Sequence, residues 1–410
     1  MQQKNPSPDD AGNHTGYGWV VLATCALMIF ITYGLIYSYS VFFKPLAEAF
    51  QWDRATVSLI YSLATIIRGA AAIGTGWLAD KYGGRKVMVF CGVMMGAGYL
   101  LSSQIETLWQ FFLTYAVVEA IGMSGIFGIG TALVTRWFTK NRGLALGIVA
   151  SGSGLGTFLI VPSAERLVEA MEWGPTFVVI GLAAGSLMVV GALLLRPPPE
   201  RRVIATGNVP SPEGVSLGEA ARDSRLYLIM IAFLLFFFGT QIVMVHLVNY
   251  ATDTGIDPLV AATFIGVIGA ASIASRLSMG VIAEKIGLYK SLILTCLFLA
   301  LSFVVLIFTR SAWSFYLFAA LFSIPYGSEV TQIPLVIGRY FGVRSMATIM
   351  GLTVFFIGLG GALGPWLAGK IYDQTHSYNG AFIVGAVIAA ASMGIVLLLR
   401  RQDKRTARGL

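Results

Sequence analysis

The amino-acid sequence predicts an all-α membrane protein with twelve transmembrane helices. Two observations lead to this fold class. Of the 410 residues, 56% are hydrophobic and only 12% are charged, whereas a soluble domain has roughly 25% charged residues. The hydrophobic residues also occur in blocks of about 20 or more, which is the length that a helix needs to cross the hydrocarbon core of a bilayer. Because these blocks recur along the whole chain, we expect it to span the membrane many times.

The blocks form two groups of six, separated by one long polar segment. The first group lies at about 19–43, 56–79, 86–104, 108–135, 143–168 and 174–195. The second lies at about 226–252, 259–284, 289–309, 313–340, 345–372 and 379–400. The segment between them, RPPPERRVIATGNVPSPEGVSLGEAARDSR, is rich in Pro, Gly and charged residues. We therefore predict an amino-terminal bundle at 1–195, a linker at 196–225 and a carboxyl-terminal bundle at 226–410.

The distribution of basic residues predicts the orientation of the chain. If the amino terminus is cytoplasmic, 21 of the 28 Lys and Arg residues fall in loops and tails on that side, 5 fall on the other side, and two, Arg68 and Arg276, fall within spans. Cytoplasmic loops carry the excess of Lys and Arg in membrane proteins. We therefore predict a multi-pass cell-membrane protein with both termini in the cytoplasm, and we attribute the net charge of +8 to topology rather than to nucleic-acid binding.

Cysteine usage and the amino terminus exclude several other classes. The three cysteines, Cys25, Cys91 and Cys296, lie in predicted spans without a CxxC pair, so neither a zinc site nor a disulfide framework is predicted. The first apolar block is far longer than the apolar core of a signal peptide and follows a polar stretch, MQQKNPSPDDAGNHTG, so no cleavable signal is predicted. We expect no cofactor and no metal.

An internal repeat relates the two halves. GWLADKYGGRK at 76–86 matches GVIAEKIGLYK at 280–290, an offset of 204 residues. At the same offset, three glycines of the first half fall on glycines of the second: Gly147, Gly154 and Gly156 on Gly351, Gly358 and Gly360. Parallel repeats of six helices with a binding site between them near the bilayer midplane are typical of secondary transporters. The repeat thus predicts two pseudo-symmetric six-helix bundles.

The motif at 76–86 resembles the loop between the second and third helices of the major facilitator superfamily, G-x-L-A-D-x-x-G-R-K. The resemblance extends over the whole chain and implies the fold of that superfamily. It also implies that Asp80 and basic residues such as Arg85 help to latch the cytoplasmic side during the conformational cycle. An ordinary basic loop that only sets topology is the alternative reading of this segment.

Two further stretches resemble the monocarboxylate transporter family, the lactate and pyruvate proton symporters. TGYGWVV at 15–21 is similar to the start of their first helix. RWFTKNRGLALGIVASGSG at 136–154 is similar to the signature at the entry to their fifth helix, and it supplies Lys140 and Arg142 in register. We assign these two basic residues to the conformational motif. If the source is a Gram-negative bacterium, the resemblance implies the inner membrane.

Arg276 is the residue around which a binding site is predicted. It lies eight residues before Glu284, which places it roughly 12 Å along the helix and inside the hydrocarbon region. Its guanidinium stays charged, and a charge there costs at least about 2.5 kcal/mol unless something offsets it. A carboxylate can do so through two parallel hydrogen bonds. In the resembling family an arginine at this place binds the substrate carboxylate, and that role falls on Arg276. The alternative is a structural ion pair with Glu119 or Glu329.

The other intramembrane charges and the coupling proton leave alternatives open. Arg68 and Glu119 either neutralise each other across a helix contact or open as the cavity alternates. Glu329, between two prolines, is either a gate residue or a paired structural acid. The family often has an aspartate where this chain has Ser272, so His246, the only histidine in a span, is a candidate for proton coupling, as are Arg276 itself and these other charged groups. Alternatively His246 bonds a carbonyl, or no titrating residue is needed.

Further substrate-binding candidates are polar or aromatic residues of predicted helices one, four, seven and eleven: Tyr33, Tyr115, His246, Asn249 and Phe355. Packing is the alternative reading of each aromatic. Oxalate/formate antiporters of the superfamily have a lysine in helix eleven, but that helix reads GLTVFFIGLGGALGPW here and has no cation before Lys370. A second carboxylate would lack a partner.

These observations predict a secondary active transporter of short monocarboxylates such as L-lactate and pyruvate, coupled to protons and working by alternating access. Its partners would be the monocarboxylate anion, a proton and the lipid bilayer, with no nucleic acid and no obligate protein partner. The nearest alternative is an organic-anion exchanger of the oxalate/formate type. A membrane sensor, a drug exporter and a membrane enzyme are less well supported, because the chain shows no signalling domain and no nucleophile–base set, metal cluster or nucleotide loop.

Overall fold

The structure is a computed structural model that describes residues 8–52, 54–198 and 214–408. The middle of the predicted linker, residues 199–213, lies outside the described residues, as do residues 1–7. The described part is almost entirely helical, which is what the bilayer requires, because a helix satisfies its own backbone hydrogen bonds where water is absent.

The described residues form twelve long helical segments. We number them α1 to α12 in chain order: Pro8–Phe50, Arg54–Tyr82, Gly84–Ser102, Leu108–Trp137, Arg142–Met171, Trp173–Leu194, Ser224–Asp253, Pro258–Ile286, Leu288–Phe308, Ala312–Phe341, Met346–Thr375 and Asn379–Arg408. Eleven of them are long and apolar enough to span a membrane. The remaining one, α10, is also 30 residues long and contacts α8 and α9 within the same bundle.

The helices agree with the predicted blocks and extend beyond several of them. The α1 helix begins before its apolar block and α12 continues through the basic carboxyl-terminal segment. The main departure from regular α-helix is in α4, where Phe112–Glu119 is π-helical and Gly125 interrupts the helix. A π-helical turn contains one more residue than an α-helical turn, and this segment carries both Tyr115 and Glu119. A short linker helix, Leu217–Ala220, precedes α7.

The fold consists of two six-helix bundles, α1–α6 and α7–α12, which meet mainly along α2–α11 and α5–α8. Glycines allow the main chains to touch at these crossings. A Cβ atom added to Gly143 would overlap the carbonyl of Gly280, and one added to Gly280 would overlap the carbonyl of Gly143. Close approach through small residues is the usual way in which helices associate in lipid, where the hydrophobic effect does not drive helices together.

The two crossings are related by the 204-residue repeat. Gly76 lies against Ala347, and their repeat equivalents are Gly280 and Gly143. Gly351 lies in the same way against the carbonyl of Ala72, and the equivalents of that pair are Gly147 and Arg276. We call the end of the molecule that bears the α2–α3 and α8–α9 loops the latch end. The bundles are in contact from the latch end to about the middle of the molecule, at Gly69 and Phe355.

Candidate functional site

Arg276 lies where the two bundles meet. It is on α8, its exposed fraction is 4%, and its guanidinium faces α5 of the other bundle. A Cβ atom added to Gly154 of α5 would lie 2.7 Å from Arg276 Nη1. The glycine therefore leaves the space that the guanidinium occupies. The predicted position of Arg276, inside a span and between the two halves, agrees with this geometry.

The guanidinium of Arg276 has hydrogen-bonding capacity that the described residues do not use. Its Nε and Nη1 atoms are buried and have no hydrogen-bond partner among them. The planar group offers two forks to a carboxylate, Nε with Nη2 and Nη1 with Nη2. Each fork thus includes a nitrogen without a partner. A buried donor left in this state costs about 1–3 kcal/mol, and more when it is charged.

Helix α10 holds Arg276 from the other side. The Arg276 guanidinium carbon lies 5.8 Å from the centre of the Tyr326 ring, a distance at which a cation is attracted by the face of the ring. The Thr331 hydroxyl donates a 3.1 Å hydrogen bond to the Arg276 carbonyl. These contacts place the charge beside an aromatic wall without neutralising it.

The ion pair that would have explained Arg276 without a ligand does not form. Glu119 pairs instead with Arg68, with 3.6 Å between Glu119 Oε2 and Arg68 Nη2, and the carboxylate is fully buried. The first of the two predicted readings of that pair, mutual neutralisation, describes this geometry. Glu329 makes no salt bridge with Arg276, and its Oε1 atom is buried without a partner among the described residues. Arg276 is thus the intramembrane arginine without an acidic partner in the described part of the chain.

Two of the predicted binding residues lie near the centre. The Tyr33 hydroxyl is within electrostatic reach of Arg276 and Arg68, and its ring is 6.5 Å from that of Tyr37. Phe355 is on α11, where a Cβ atom added to Gly69 of α2 would lie 3.3 Å from its Cα atom. Both residues therefore sit where the two bundles approach one another, as expected for the walls of a central site.

Tyr115 is placed differently from the prediction. It is 1% exposed and packs inside the amino-terminal bundle, with ring centres 5.1 Å from Tyr39, 5.3 Å from Phe111 and 6.1 Å from Tyr99. Tyr115 was predicted to bind substrate because it is polar and lies one turn before Glu119. The π-helical segment and the surrounding aromatic rings make it a packing residue of the bundle in this conformation.

His246 and Asn249 also lie apart from Arg276. The two ring nitrogens of His246 are each in contact with a polar atom, at 3.2 Å from the Tyr378 hydroxyl and 3.0 Å from the Pro365 carbonyl. This is the carbonyl-bonded alternative predicted for the histidine, and it holds α7 against α11 and α12. The Asn249 side chain is exposed one turn from the end of α7. Neither residue contributes to the Arg276 site in this conformation.

At the latch end, Asp80 joins the two bundles. Its carboxylate accepts hydrogen bonds from the Thr348 amide at 2.9 Å and the Thr348 hydroxyl at 2.7 Å, and it is 3.4 Å from the Arg136 guanidinium. Arg136 also donates a 2.7 Å hydrogen bond to the Val343 carbonyl. Thr348 lies in the first turn of α11, where free amides and the helix dipole favour a negative charge. Asp80 thus contacts the other bundle, and its role in the conformational cycle stays a prediction.

Glu284 forms a second latch that the sequence analysis did not predict. Its carboxylate accepts a 2.5 Å hydrogen bond from the Gly143 amide in the first turn of α5. Glu284 is the repeat equivalent of Asp80, and Gly143 is the equivalent of Ala347, whose amide lies 3.4 Å from Asp80 Oδ1. The alignment of the two motifs already placed Glu284 on Asp80 and could have identified it.

The basic residues predicted for the conformational motif differ in burial. Arg142 is half-buried, donates to the Phe138 carbonyl at 3.2 Å and lies within electrostatic reach of Glu284. Arg85 and Lys140 are exposed. Arg136, the first residue of the stretch at 136–154, is the basic residue that lies beside Asp80.

The sequence was compared with protein families and known proteins. The model of the Major Facilitator Superfamily matches residues 25–365. Human monocarboxylate transporter 11 is 28% identical over 94% of this chain and 84% of its own length. Human monocarboxylate transporter 12 is 24% identical over 98% and 84%, and bovine monocarboxylate transporter 13 is 26% identical over 94% and 89%.

Solved structures show the same fold at low sequence identity. The transporter FucP in its outward conformation superposes with a TM-score of 0.72 over 92% of this chain and 98% of its own, at 15% identity. The proton:xylose symporter XylE superposes with a TM-score of 0.73 over 93% and 95%, at 11% identity. With twelve long helices in the described residues, a repeat that relates the bundles, contacts of Asp80 across them and a family match over most of its length, this chain belongs to the Major Facilitator Superfamily.

Proposed function

We propose that this protein is a secondary active transporter of short monocarboxylates, of the L-lactate and pyruvate type, coupled to protons and working by alternating access. The observation that carries the proposal is the Arg276 guanidinium, buried between the two bundles with two nitrogens that have no partner among the described residues. A carboxylate supplies both the missing charge and the missing acceptors. The relatives named monocarboxylate transporters support the same substrate class.

The surroundings of Arg276 favour a small ligand with one carboxylate. The aromatic rings of Tyr326 and Tyr33 and the apolar side chain of Phe355 provide the walls, and the other intramembrane arginine, Arg68, is already paired. A second carboxylate of a dicarboxylate would be buried without a cation, which is costly. The proposal therefore places the single carboxylate on Arg276 and the short carbon chain against these rings.

The proposal includes an orientation. The latch end carries the α2–α3, α4–α5, α8–α9 and α10–α11 loops. The helix turns next to these loops contain Asp80, Arg136, Arg142 and Glu284. We place this end in the cytoplasm, on the positive-inside rule. The conformation described here, with the bundles in contact at the latch end, is then the one in which the cytoplasmic path is closed.

Uptake of radiolabelled L-lactate into proteoliposomes tests the proposal. An inward proton gradient should drive uptake by the unmodified protein. Arg276→Ala should abolish it, and Arg276→Lys, which keeps the charge but not the two-point geometry, should raise the KM about tenfold or more. Arg222→Ala, which removes an exposed arginine at the latch end, serves as the control and should transport normally. Normal uptake by Arg276→Ala would refute the proposed carboxylate site.

Proton movement distinguishes symport from exchange. Addition of external lactate to vesicles without internal anion should acidify the lumen if transport is symport. An absence of acidification, together with strong stimulation of uptake by internal anion, would instead identify an organic-anion exchanger.

A further inference from the structure

A small cavity lies inside the carboxyl-terminal bundle, separate from the Arg276 site. Its walls come from α7, α9, α10 and α12, and its volume is about 20 Å³, which is enough for one water molecule. Most of the lining is apolar. The polar side chains that reach it are Thr295, Cys296, Glu329, Gln332 and Ser392.

The Thr295 hydroxyl on one wall of this cavity and one of the two N–H groups of Gln332 are used as donors. Gln332 Nε2 donates to Thr295 Oγ1 at 3.1 Å, and the Thr295 hydroxyl donates to the Ser291 carbonyl at 3.0 Å. Since the Thr295 proton is committed to that carbonyl, the amide of Gln332 must present its nitrogen to Thr295. The Gln332 oxygen, Oε1, then faces away from Thr295, and it is buried without a partner among the described residues.

The donors on the other wall are used as well. The Ser392 hydroxyl donates to the Ala232 carbonyl at 3.0 Å, and Cys296 Sγ lies 3.7 Å from Ser392 Oγ. Glu329 Oε1 is buried without a partner among the described residues. What remains at the cavity is therefore two acceptor oxygens without a partner among the described residues, Glu329 Oε1 and Gln332 Oε1, and neither of them accepts the second N–H of Gln332 Nε2.

Among the residues that the structure describes, no positive charge is paired with Glu329. The residues that line the cavity from α7 are apolar, α12 contributes only Ser392 as a polar group, and the single other titratable group is the Cys296 thiol of α9. Arg276 of the adjacent α8 has its guanidinium over Tyr326 rather than on Glu329. An ionised carboxylate with no partner in such a place is costly by several kcal/mol, and the group becomes neutral instead.

We propose that Glu329 is the binding site of the coupling proton and that Gln332 Oε1 accepts the hydrogen bond of the protonated acid, directly or through one water in the cavity. The two residues are three apart on α10, so their side chains are neighbours on one face of the helix. Binding of the proton changes the carboxylate from −1 to neutral and supplies the donor that the two oxygens lack. This inference rests on the proposed function, because it names the residue that carries the proton of the symport.

Helix α10 connects the proton site to the substrate site. Tyr326 and Thr331, which contact Arg276, and Glu329 and Gln332 lie in one segment of ten residues bounded by Pro325 and Pro334. Each proline removes a backbone hydrogen bond of the helix and permits it to bend there. Loss of the proton from Glu329 would therefore act on the same short segment that holds Arg276.

Glu329→Gln tests the assignment, because a glutamine resembles the neutral acid and should fold. The variant should lose uptake driven by a proton gradient and should lose lactate-induced acidification, but it should retain exchange of labelled for unlabelled lactate, since exchange requires no proton release. Glu169→Gln makes the same change at an exposed acid of α5 and should behave like the unmodified protein. Arg276→Ala should lose exchange as well.

A second measurement detects the protonated form of Glu329 directly and does not depend on transport. The infrared spectrum of the unmodified protein should contain a protonated-carboxylic-acid band that persists at neutral pH and is absent from Glu329→Gln. Undiminished acidification by Glu329→Gln, or no difference in this band, would overturn the inference and leave the proposed function standing. Displacement of the band by Na⁺ would also overturn it and would identify a metal-cation site. If the unmodified protein moves no monocarboxylate, the proposed function fails, and the infrared band alone still decides whether Glu329 holds a proton.

Discussion

The Glu284 carboxylate accepts a 2.5 Å hydrogen bond from the Gly143 amide across the interface between the two bundles. Asp80 does the same at the equivalent place in the repeat, with 2.9 Å to the Thr348 amide and 3.4 Å to the Ala347 amide. In both cases a carboxylate at the end of one helix caps the first turn of a helix in the other bundle, where the dipole favours it. The closed latch end thus depends on two related contacts.

Neutralisation of the latch carboxylates should open the latch end. Asp80→Asn should lower the ratio of closed to open conformations by about tenfold or more, because a hydrogen bond to a charged group contributes about 1.5–3 kcal/mol. Glu284→Gln should have a smaller effect, since Glu284 is exposed and solvent screens its charge. Spin labels at the exposed positions Arg85 and Lys290 report the distance between the bundles, and the native cysteines are buried.

The matched control for this experiment is Asp403→Asn. Asp403 also forms an ion pair, at 3.4 Å from Arg339, but both residues belong to the carboxyl-terminal bundle. Its neutralisation should leave the distance distribution unchanged. Equal shifts in Asp80→Asn and Asp403→Asn would mean that the latch contact does not control closure.

A methyl group at the glycine crossing should prevent closure. In Gly280→Ala the added Cβ atom would overlap the main-chain carbonyl of Gly143, which cannot move aside as a side chain can. Overpacking of this kind costs about 1–3 kcal/mol, so we expect longer distances between the bundles and at least roughly tenfold slower uptake. Gly266→Ala on the same helix, where nothing lies within 4 Å of the added atom, should be normal. Normal uptake by Gly280→Ala would show that closure does not require this contact.

A methyl group beside Arg276 should weaken substrate binding without unfolding the protein. The Cβ atom of Gly154→Ala would lie 2.7 Å from Arg276 Nη1, and the flexible end of the arginine would move. Loss of one charged hydrogen bond to the carboxylate would raise the lactate dissociation constant about tenfold or more. The repeat equivalent, Gly358→Ala, has nothing within 4 Å and is the control. Isothermal titration with lactate measures both, and equal affinities would contradict the placement of the substrate at Arg276.

Removal of His246 should affect stability rather than coupling. His246→Ala would remove the contacts of the imidazole with the Tyr378 hydroxyl and the Pro365 carbonyl, at a cost of about 0.5–1.5 kcal/mol for each hydrogen bond lost. We expect a lower thermal midpoint in detergent and an unchanged pH profile of uptake. Asn249→Ala, an exposed change on the same helix, should alter neither. A shifted pH profile of uptake in His246→Ala would instead support a role of His246 in proton coupling.

The properties that could be predicted are those that depend on the order of residues along the chain. Apolar length identified the spans, and the repeat identified the two bundles. The charge of Arg276, with no acid near it in the sequence, led to the prediction of an anionic ligand, which stays a prediction. The same repeat aligned Glu284 with Asp80, although its latch role was not inferred from that alignment.

Which residues line the central site could not be predicted from the sequence, because this depends on the face of the helix on which each residue lies. Tyr115 and His246 lie in the predicted helices, but in this conformation their contacts are within one bundle, and their roles at the site stay predictions. In a helix that is apolar on every side, the hydrophobic pattern does not distinguish the face toward the central site from the face toward a bundle interior. The π-helical turn before Glu119 adds a rotation that no residue pattern in the segment predicted.

The sequence by itself determined the membrane environment, the number of spans, the pseudo-symmetry and the presence of two intramembrane arginines, Arg68 and Arg276, that each need a partner. Each of these follows from hydration, periodicity or charge along the chain. The tertiary structure decided which charges meet. It paired Arg68 with Glu119 and left Arg276 without an acidic partner among the described residues. It also left Glu329 beside Gln332 at a cavity without a cation. Pairing depends on contacts between helices that are far apart in the sequence, and only packing brings those side chains within a few ångströms of one another.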